Sequence, residues 1–493
     1  LLYNLKKSDT MKSKNYFSKI ASAIAFLLAL NVNANNVEIT GTSVSGNDIT
    51  FNISWENSWY ANVAPANWDA VWVFVKYQDC NTRLWAHANL STAASDHSAA
   101  SPLQVDPVTD GKGVFIRRSA LGGGNISATS ITLRMTGLGA GPYNFKVFGI
   151  EMVHVPQGAF EIGDGTSTST FNSITINATS QTSGVTSATI GGGGPTVPAT
   201  FPMGYNSFYC MKYEISQLQY VEFLNSLTFP QQQSRILTDP TSAAGTYVTY
   251  GSYAYRNGIV IETPGNNAAI PAVFGCDATN GVINNSNDGQ SVAMSNLSWA
   301  DLAAYLDWSA LRPMTELEFE KVCRGTMPRV AGEYPWGDTT INPFYSSTIE
   351  NALQPTETET TVVNGRCAVA INTGSGVYGP LKVGVFATST SGRSSAGAAF
   401  YGAMEMGGNL SERTISVGNA SGVAFNGTLG DGTLTAIGDA NQATWPSNTT
   451  ATGVGTRGGE YVSPATYVRT SDRTFASTTN ATRNYTFGGR GVR

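Results

Sequence analysis

From Gly325 to Arg493 no long helical period recurs, and glycine-punctuated short segments follow one another to the end of the chain. Such a stretch points to turns, long loops and short strands braced by side chains. Glycine is abundant (53 residues) while helix-favouring Lys and Glu are scarce, which points the same way. Within this stretch Gly402-Ala-Met-Glu-Met-Gly-Gly-Asn-Leu-Ser-Glu412 packs two carboxylates and three glycines into one irregular turn. Segments of that kind wrap backbone carbonyls around a hard cation. Arg457-Gly458-Gly459-Glu460-Tyr461 follows about 45 residues later, with no cysteine after it.

At 493 residues the chain is too long for one compact core, so two or three domains are expected. Charged residues make up 13% and the net charge is -5, so no basic field exists to hold nucleic acid or anionic lipid. Lys12, Lys14 and Lys19 precede an apolar run from Ile20 to Val32, and Val32-Asn33-Ala34 supplies small residues for cleavage. Residues 11–34 therefore read as a signal peptide, with the first ten upstream of a start at Met11 and a mature chain beginning near Asn35. The expected location is secreted, periplasmic or at the cell surface, with no membrane span after signal cleavage. Five cysteines (Cys80, Cys210, Cys276, Cys323, Cys367) leave at least one unpaired and show no CxxC spacing.

Residues 35–152 read as an all-β sandwich. Ile49, Phe51, Ile53 and Trp55 alternate, and Val71 to Val75 is a buried-strand run. Ser130 to Met135 and Asn144 to Ile150 follow as strands, and Ser45–Asp48, Gly122–Asn125 and Gly139–Pro142 supply turn chemistry. Trp55, Trp59, Trp68 and Trp72 are expected to pack this sandwich, with a sugar-stacking platform as the sharper alternative. A second unit spans 153–493, opening at Val155-Pro156-Gln157-Gly158 and interrupted by a polar insertion over 164–200 that includes Gly191 to Gly194. Ser216-x-x-Gln219, Ser298-x-x-Asp301 and Thr315-x-x-Glu318 are capping boxes, predicting helices that begin near 217, 299 and 316. Tyr220, Phe223, Leu224 and Leu227 share one face of the first, Leu302, Tyr305 and Leu306 of the second, and Phe319, Val322 and Cys323 of the third. Cys323 is thus expected in the core.

An ordered series of segments carries a resemblance. It runs Val155-Pro-Gln-Gly-Ala-Phe160, Tyr213-Glu-Ile-Ser216 with Gln219-Tyr220, Leu297-Ser-Trp299, then Leu311-Arg-Pro-Met-Thr-Glu316 with Glu318-Phe-Glu320. Tyr334-Pro-Trp-Gly337, Gly408-Asn-Leu-Ser-Glu412, Arg457-Gly-Gly459 and Gly489-Arg-Gly-Val-Arg493 complete it. Together these resemble the sulfatase-modifying factor family, the formylglycine-generating enzymes and their relatives, over about residues 153–493. The resemblance implies an irregular α+β fold related to C-type lectins, with bound calcium, following the N-terminal sandwich.

The oxidase members of that family use two thiols that bind copper and engage a sulfatase cysteine. Alignment on Gly458-Gly459 puts Ser463 and Val468 at those positions, so Cu(I) has no soft ligand there and copper is not expected. No catalytic residue is therefore assigned. The related sulfoxide synthases need a histidine cluster, and His87, His97 and His154 do not supply one. A Ser-His hydrolytic pair would have to reach across domains. For structural calcium the resemblance implies Glu405, the Gly408 and Leu410 carbonyls and Glu412, and, on a weaker match, Asn351 and the Ala352 carbonyl. The alternative leaves Glu405 and Glu412 solvated or paired with Arg413.

The expected function is recognition of a glycan or a peptide or protein ligand on a calcium-stabilised scaffold, in the groove where relatives bind substrate. Glu460, Tyr461, Ser463, Tyr467 and Arg469 are the expected contacts, with Trp336 as a wall. A sulfatase-maturing oxidase, or a divergent variant of it, is the enzyme alternative, and a structural surface or adhesion component is the third. Arg457, Arg469, Arg473, Arg483, Arg490 and Arg493 are expected to brace loop carbonyls in preference to forming an anion site.

Overall fold

The computed structural model describes residues 37–178, 195–266, 270–344, 349–371 and 377–493. The expected signal segment 11–34 and Gly191–Gly194 lie outside the described residues. No helix among the described residues is long and apolar enough to cross a membrane.

The N-terminal strands are β1 (Glu38–Ser45), β2 (Asp48–Tyr60), β3 (Asp69–Asp79), β4 (Leu103–Pro107), β5 (Val114–Arg118), β6 (Gly122–Thr136) and β7 (Tyr143–Val155). One sheet runs β1-β2-β6 and takes short pairings from Asn89–Leu90 and Ser98–Ala99. In β2 the alternating Ile49, Phe51, Ile53 and Trp55 are buried and the residues between them are not, as a one-sided strand requires. Gly122–Gly124 departs from the expected turn. It continues β6, with Gly123 opposite Trp59 and Gly122 opposite Tyr60, because backbone pairing needs no side chain.

The second sheet crosses from the sandwich into the rest of the chain. It includes β8 (Phe208–Met211), β9 (Arg312–Pro313) and β10 (Gly491–Val492), in the order β9-β10-β8-β7-β3-β5-β4. Val71, Val73 and Val75 face the first sheet, while Ala70, Trp72 and Phe74 face a second core with Phe148, Ile150 and Met152. That double burial explains why β3 reads as an unbroken apolar run where β2 alternates. Each such side chain contributes about 1.5–3 kcal/mol on burial.

Helices α1 (Gln217–Leu224), α2 (Phe229–Arg235) and α3 (Trp299–Trp308) follow, with α4 (Glu316–Arg324) after β9. All three expected capping boxes form, and the expected apolar faces are buried, Cys323 among them. Helix α2 was not expected. Gln231 Oε1 accepts the Thr228 N–H at 3.0 Å to begin it. Tyr220, Phe223, Leu302, Tyr305 and Trp308 pack against the second face of the shared sheet.

Polar contacts fasten the same junction. Trp72 Nε1 donates to Ser309 O at 2.9 Å, and Asn67 Nδ2 donates to His154 O (3.0 Å) and Tyr401 O (2.9 Å). Lys212 and Glu151, both buried, pair at 2.9 Å. Trp55 and Trp72 are buried and Trp59 and Trp68 half-buried, Trp68 stacking on His154 at 3.9 Å. The packing role expected of these indoles accounts for all four.

Candidate functional site

The turn from Gly402 to Glu412 folds back on the Arg457–Tyr461 segment. Gly408 N–H donates to Gly458 O at 2.8 Å, Asn409 N–H to Ala368 O at 2.9 Å, and Tyr461 N–H to Asn409 O at 2.9 Å. Gly408 sits at φ 77°, and a Cβ there would stand 2.5 Å from Ala368 O and 2.6 Å from Cys367 Sγ, so only glycine fits. Glu405 (φ 49°) and Asn409 (φ 61°) also take left-handed conformations, which aims both side chains inward.

Inside this turn three carboxylates gather. Glu405 is 5% exposed; its Oε1 accepts the Gly384 N–H at 2.8 Å, and its Oε2 is buried without a partner. Glu412 is 1% exposed; Arg490 Nε donates to its Oε1 at 2.6 Å, and its Oε2 is likewise without a partner. The third is Glu214, which accepts from Leu410 N–H (2.9 Å) and from Asn409 Nδ2. Arg490 is the guanidinium that faces them, and its remaining donors go to the carbonyls of Met211, Lys212 and Glu405. Burial pushes the Glu405 carboxyl up to about 7. Burial and then the Glu412 charge push Glu214 well above the ordinary carboxylate range, and burial raises Glu412 against the pull of Arg490.

Two orphaned carboxylate oxygens in one buried cluster suit a hard cation. Of the expected calcium ligands, Glu405 and Glu412 each present such an oxygen. Among the described residues no three His, Cys, Asp or Glu side chains converge tightly enough to hold a metal alone, so the backbone carbonyls would have to complete it. Neither carboxylate is solvated or paired with Arg413, which donates to Asn480 O and Thr482 O and lies over Phe487 at 4.5 Å.

Asn351 and Ala352 fit poorly. Both are exposed, and the carboxylates that follow them are engaged by guanidinium groups, Glu357 by Arg256 and Glu359 by Arg366.

The positions assigned to thiols are sealed. Ser463 is 2% exposed, and its Oγ accepts the Glu460 N–H at 3.2 Å. Val468 is fully buried in a small cluster with Tyr334, Trp336, Cys367 and Val369. All five cysteines are free; four are buried, and burial raises each of those thiols, Cys210 and Cys276 to about 12. Cys367 Sγ donates to Gly407 O at 3.2 Å.

The expected ligand face is only partly available. Trp336, Tyr461 and Ser463 are buried, because Trp336 stacks on Tyr334 (5.0 Å) and donates Nε1 to Thr340 O, while Tyr461 enters the core beneath the turn. Glu460, Tyr467 and Arg469 are half-exposed; Glu460 Oε2 accepts from Ser411 Oγ at 2.5 Å and Tyr467 lies edge-on to Phe475 at 5.1 Å.

Around Tyr461 the fold assembles a group that the sequence did not announce. Tyr378 meets its ring at 5.7 Å and Tyr485 at 6.4 Å; Tyr255 stacks on Tyr485 at 4.4 Å, and Tyr250 joins Tyr255 at 5.3 Å. Tyr250, Tyr255, Tyr378 and Tyr485 are half-buried as residues, and the hydroxyls of Tyr250 and Tyr461 are themselves buried. Burial, and then the four neighbouring tyrosines, hold the Tyr461 phenol above its ordinary range. Five of the six arginines brace carbonyls as expected, Arg457 at Thr470, Arg473 at Ser169, Arg483 at Ser234, Arg490 at Met211 and Arg493 at Ala310, and each of the five also pairs with a carboxylate.

Among known families, the one described as sulfatase-modifying factor enzyme 1-like domain matches residues 146–493. No curated protein matches the chain.

Proposed function

The chain belongs to the sulfatase-modifying factor family, and from that membership we propose that its C-terminal domain recognises a glycan or peptide ligand and does not oxidise a cysteine. The observation that carries this reading is the filling of the two thiol positions by Ser463 and Val468, one hydrogen-bonded to its own loop and the other packed in a core. A hydroxyl at that site yields no thiolate at neutral pH, and an isopropyl group offers no donor at all. The donor set does not fit Cu(I).

The recognition face is the half-exposed tyrosine group with Glu460 at its edge. Tyrosine rings give large contact area at small entropic cost, and their hydroxyls hydrogen-bond to a polar ligand. Calcium at Glu405, Gly408 O, Leu410 O and Glu412 would neutralise the buried carboxylates and pin the turn on which Tyr461 rests. Export through the N-terminal segment belongs to the same proposal. The test is binding of the full chain to glycan and peptide arrays, repeated with Tyr485→Ala. A ligand lost in that variant supports the reading; hits that are indifferent to Tyr485 and to Glu460→Gln contradict it.

The oxidase alternative has one observation on its side. Cys367 shares a cluster with Val468, which brings a thiol near one of the two positions. A single buried thiol is half of what a two-coordinate cuprous site requires.

A further inference from the structure

A cleft of about 360 Å³ lies between the sandwich and the domain that follows it. The sandwich lines it with Cys80 and Arg83, from the turn after β3, and with Trp85; the other wall is Leu227, just past α1, with Pro271 and Val273. It shares no lining residue with the tyrosine group.

The turn presents one charge to this cleft. Asp79 N–H donates to Leu84 O at 3.1 Å, Arg83 N–H to Asp79 O at 2.7 Å, and Gln78 Nε2 to Arg83 O at 2.9 Å. These bonds hold Arg83 at φ 60°, a left-handed conformation that a long side chain rarely takes. Its guanidinium has no hydrogen-bond or ion-pair partner among the described residues, and no acidic side chain lines the cleft. Asp79, in the same turn, gives its Oδ1 to the N–H groups of Asn81 (2.7 Å) and Thr82 (3.0 Å). The wall amides are engaged within the fold: Asn225 holds both polar groups of the Phe274 backbone, and Asn144 Nδ2 donates to Gln78 Oε1 at 3.5 Å.

A guanidinium offers a planar fork of donors that matches a carboxylate and repels a cation. The half-buried Trp85 indole, with Leu227, Pro271 and Val273 opposite, offers apolar surface for the rest of a ligand. We propose that this cleft binds a small carboxylate with an aromatic or apolar body, the carboxylate on Arg83 and the body between Trp85 and the wall of Leu227, Pro271 and Val273. Because Arg83 is exposed, salt screens the pair and the affinity is modest.

Cys80 serves as the reporter, because it is exposed and the other four cysteines are buried. The full chain is titrated by calorimetry at low salt with 3-phenylpropionate, with the uncharged 3-phenylpropanamide and with acetate, which lacks the body; alkylation of Cys80 by iodoacetamide is timed in the presence of each. The phenylpropionate should bind saturably at one site, about fivefold or more tighter than either comparator, and should slow alkylation over the same concentration range. Arg83→Gln, a change on an exposed turn, should remove the preference for phenylpropionate over its amide. Equal binding of phenylpropionate and either comparator, no binding at all, binding that leaves Cys80 alkylation unchanged, or a preference that survives in Arg83→Gln would overturn the proposal.

Discussion

Arg490 donates to one oxygen of Glu412 at 2.6 Å and leaves the other oxygen of that carboxylate buried with no partner. The same centre contains Glu214 and Glu405, Lys382 also faces Glu405, and burial raises all three carboxyls. Tyr461 is hydrogen-bonded to the turn that carries this centre, through Asn409 O.

Calcium should stabilise the protein. An ion that binds only the folded state adds about 2.7 kcal/mol at a hundredfold excess over its Kd. Thermal unfolding in calcium should occur several degrees above that in chelator, and Glu405→Gln with Glu412→Gln should erase the difference. Identical melting in calcium and chelator would contradict the ligand set.

Arg490→Met should be severely destabilising without calcium. Removing one partner of a buried pair typically costs about 3–5 kcal/mol, since the other charge is left uncompensated. Urea denaturation in chelator measures this; a change below about 1 kcal/mol would mean the carboxylates are protonated already.

The sandwich and the following domain should unfold together. Trp72 is fully buried on the shared sheet, donates to Ser309 O, and lies 4.1 Å from the Arg493 guanidinium. Trp72→Ala should cost about 3–5 kcal/mol and shift a single calorimetric transition. Two separated transitions would show the sandwich to be independent.

Acid should weaken the Trp68–His154 stack. Burial lowers the His154 pKa to about 4 from an ordinary 6.5, so the unfolded chain binds the proton more readily than the folded one. Stability from this group is complete above 6.5 and is lost as pH falls towards 4, at no more than about 1.4 kcal/mol per pH unit, less for its partial exposure. A His154→Phe variant should show a shallower decline over that range; matching pH profiles would contradict the assignment.

Local rules carried the sequence reading a long way. Alternation in β2, the continuous apolar run of β3 and three capping boxes each depend on residues within a few positions, and each formed as expected. The Thr228 box was missed because the seven-residue helix behind it has no repeating apolar face. Glu405 and Glu412 were legible because a single turn holds both. Glu214 was not, since it reaches that turn from about 190 residues away through tertiary packing. The tyrosine group is invisible for the same reason, being drawn from separate segments. Trp336 and Tyr461 show the opposite failure: an aromatic residue in a family groove reads alike whether it lines the surface or, as here, fills the core beneath it.

The central claim is the loss of thiol chemistry, and cuprous-ion titration of the full chain, followed by incubation with a cysteine-containing sulfatase-motif peptide, tests it most directly. The account predicts no stoichiometric copper and an unchanged peptide thiol. One tightly held copper per chain with aldehyde formed on the peptide would contradict it.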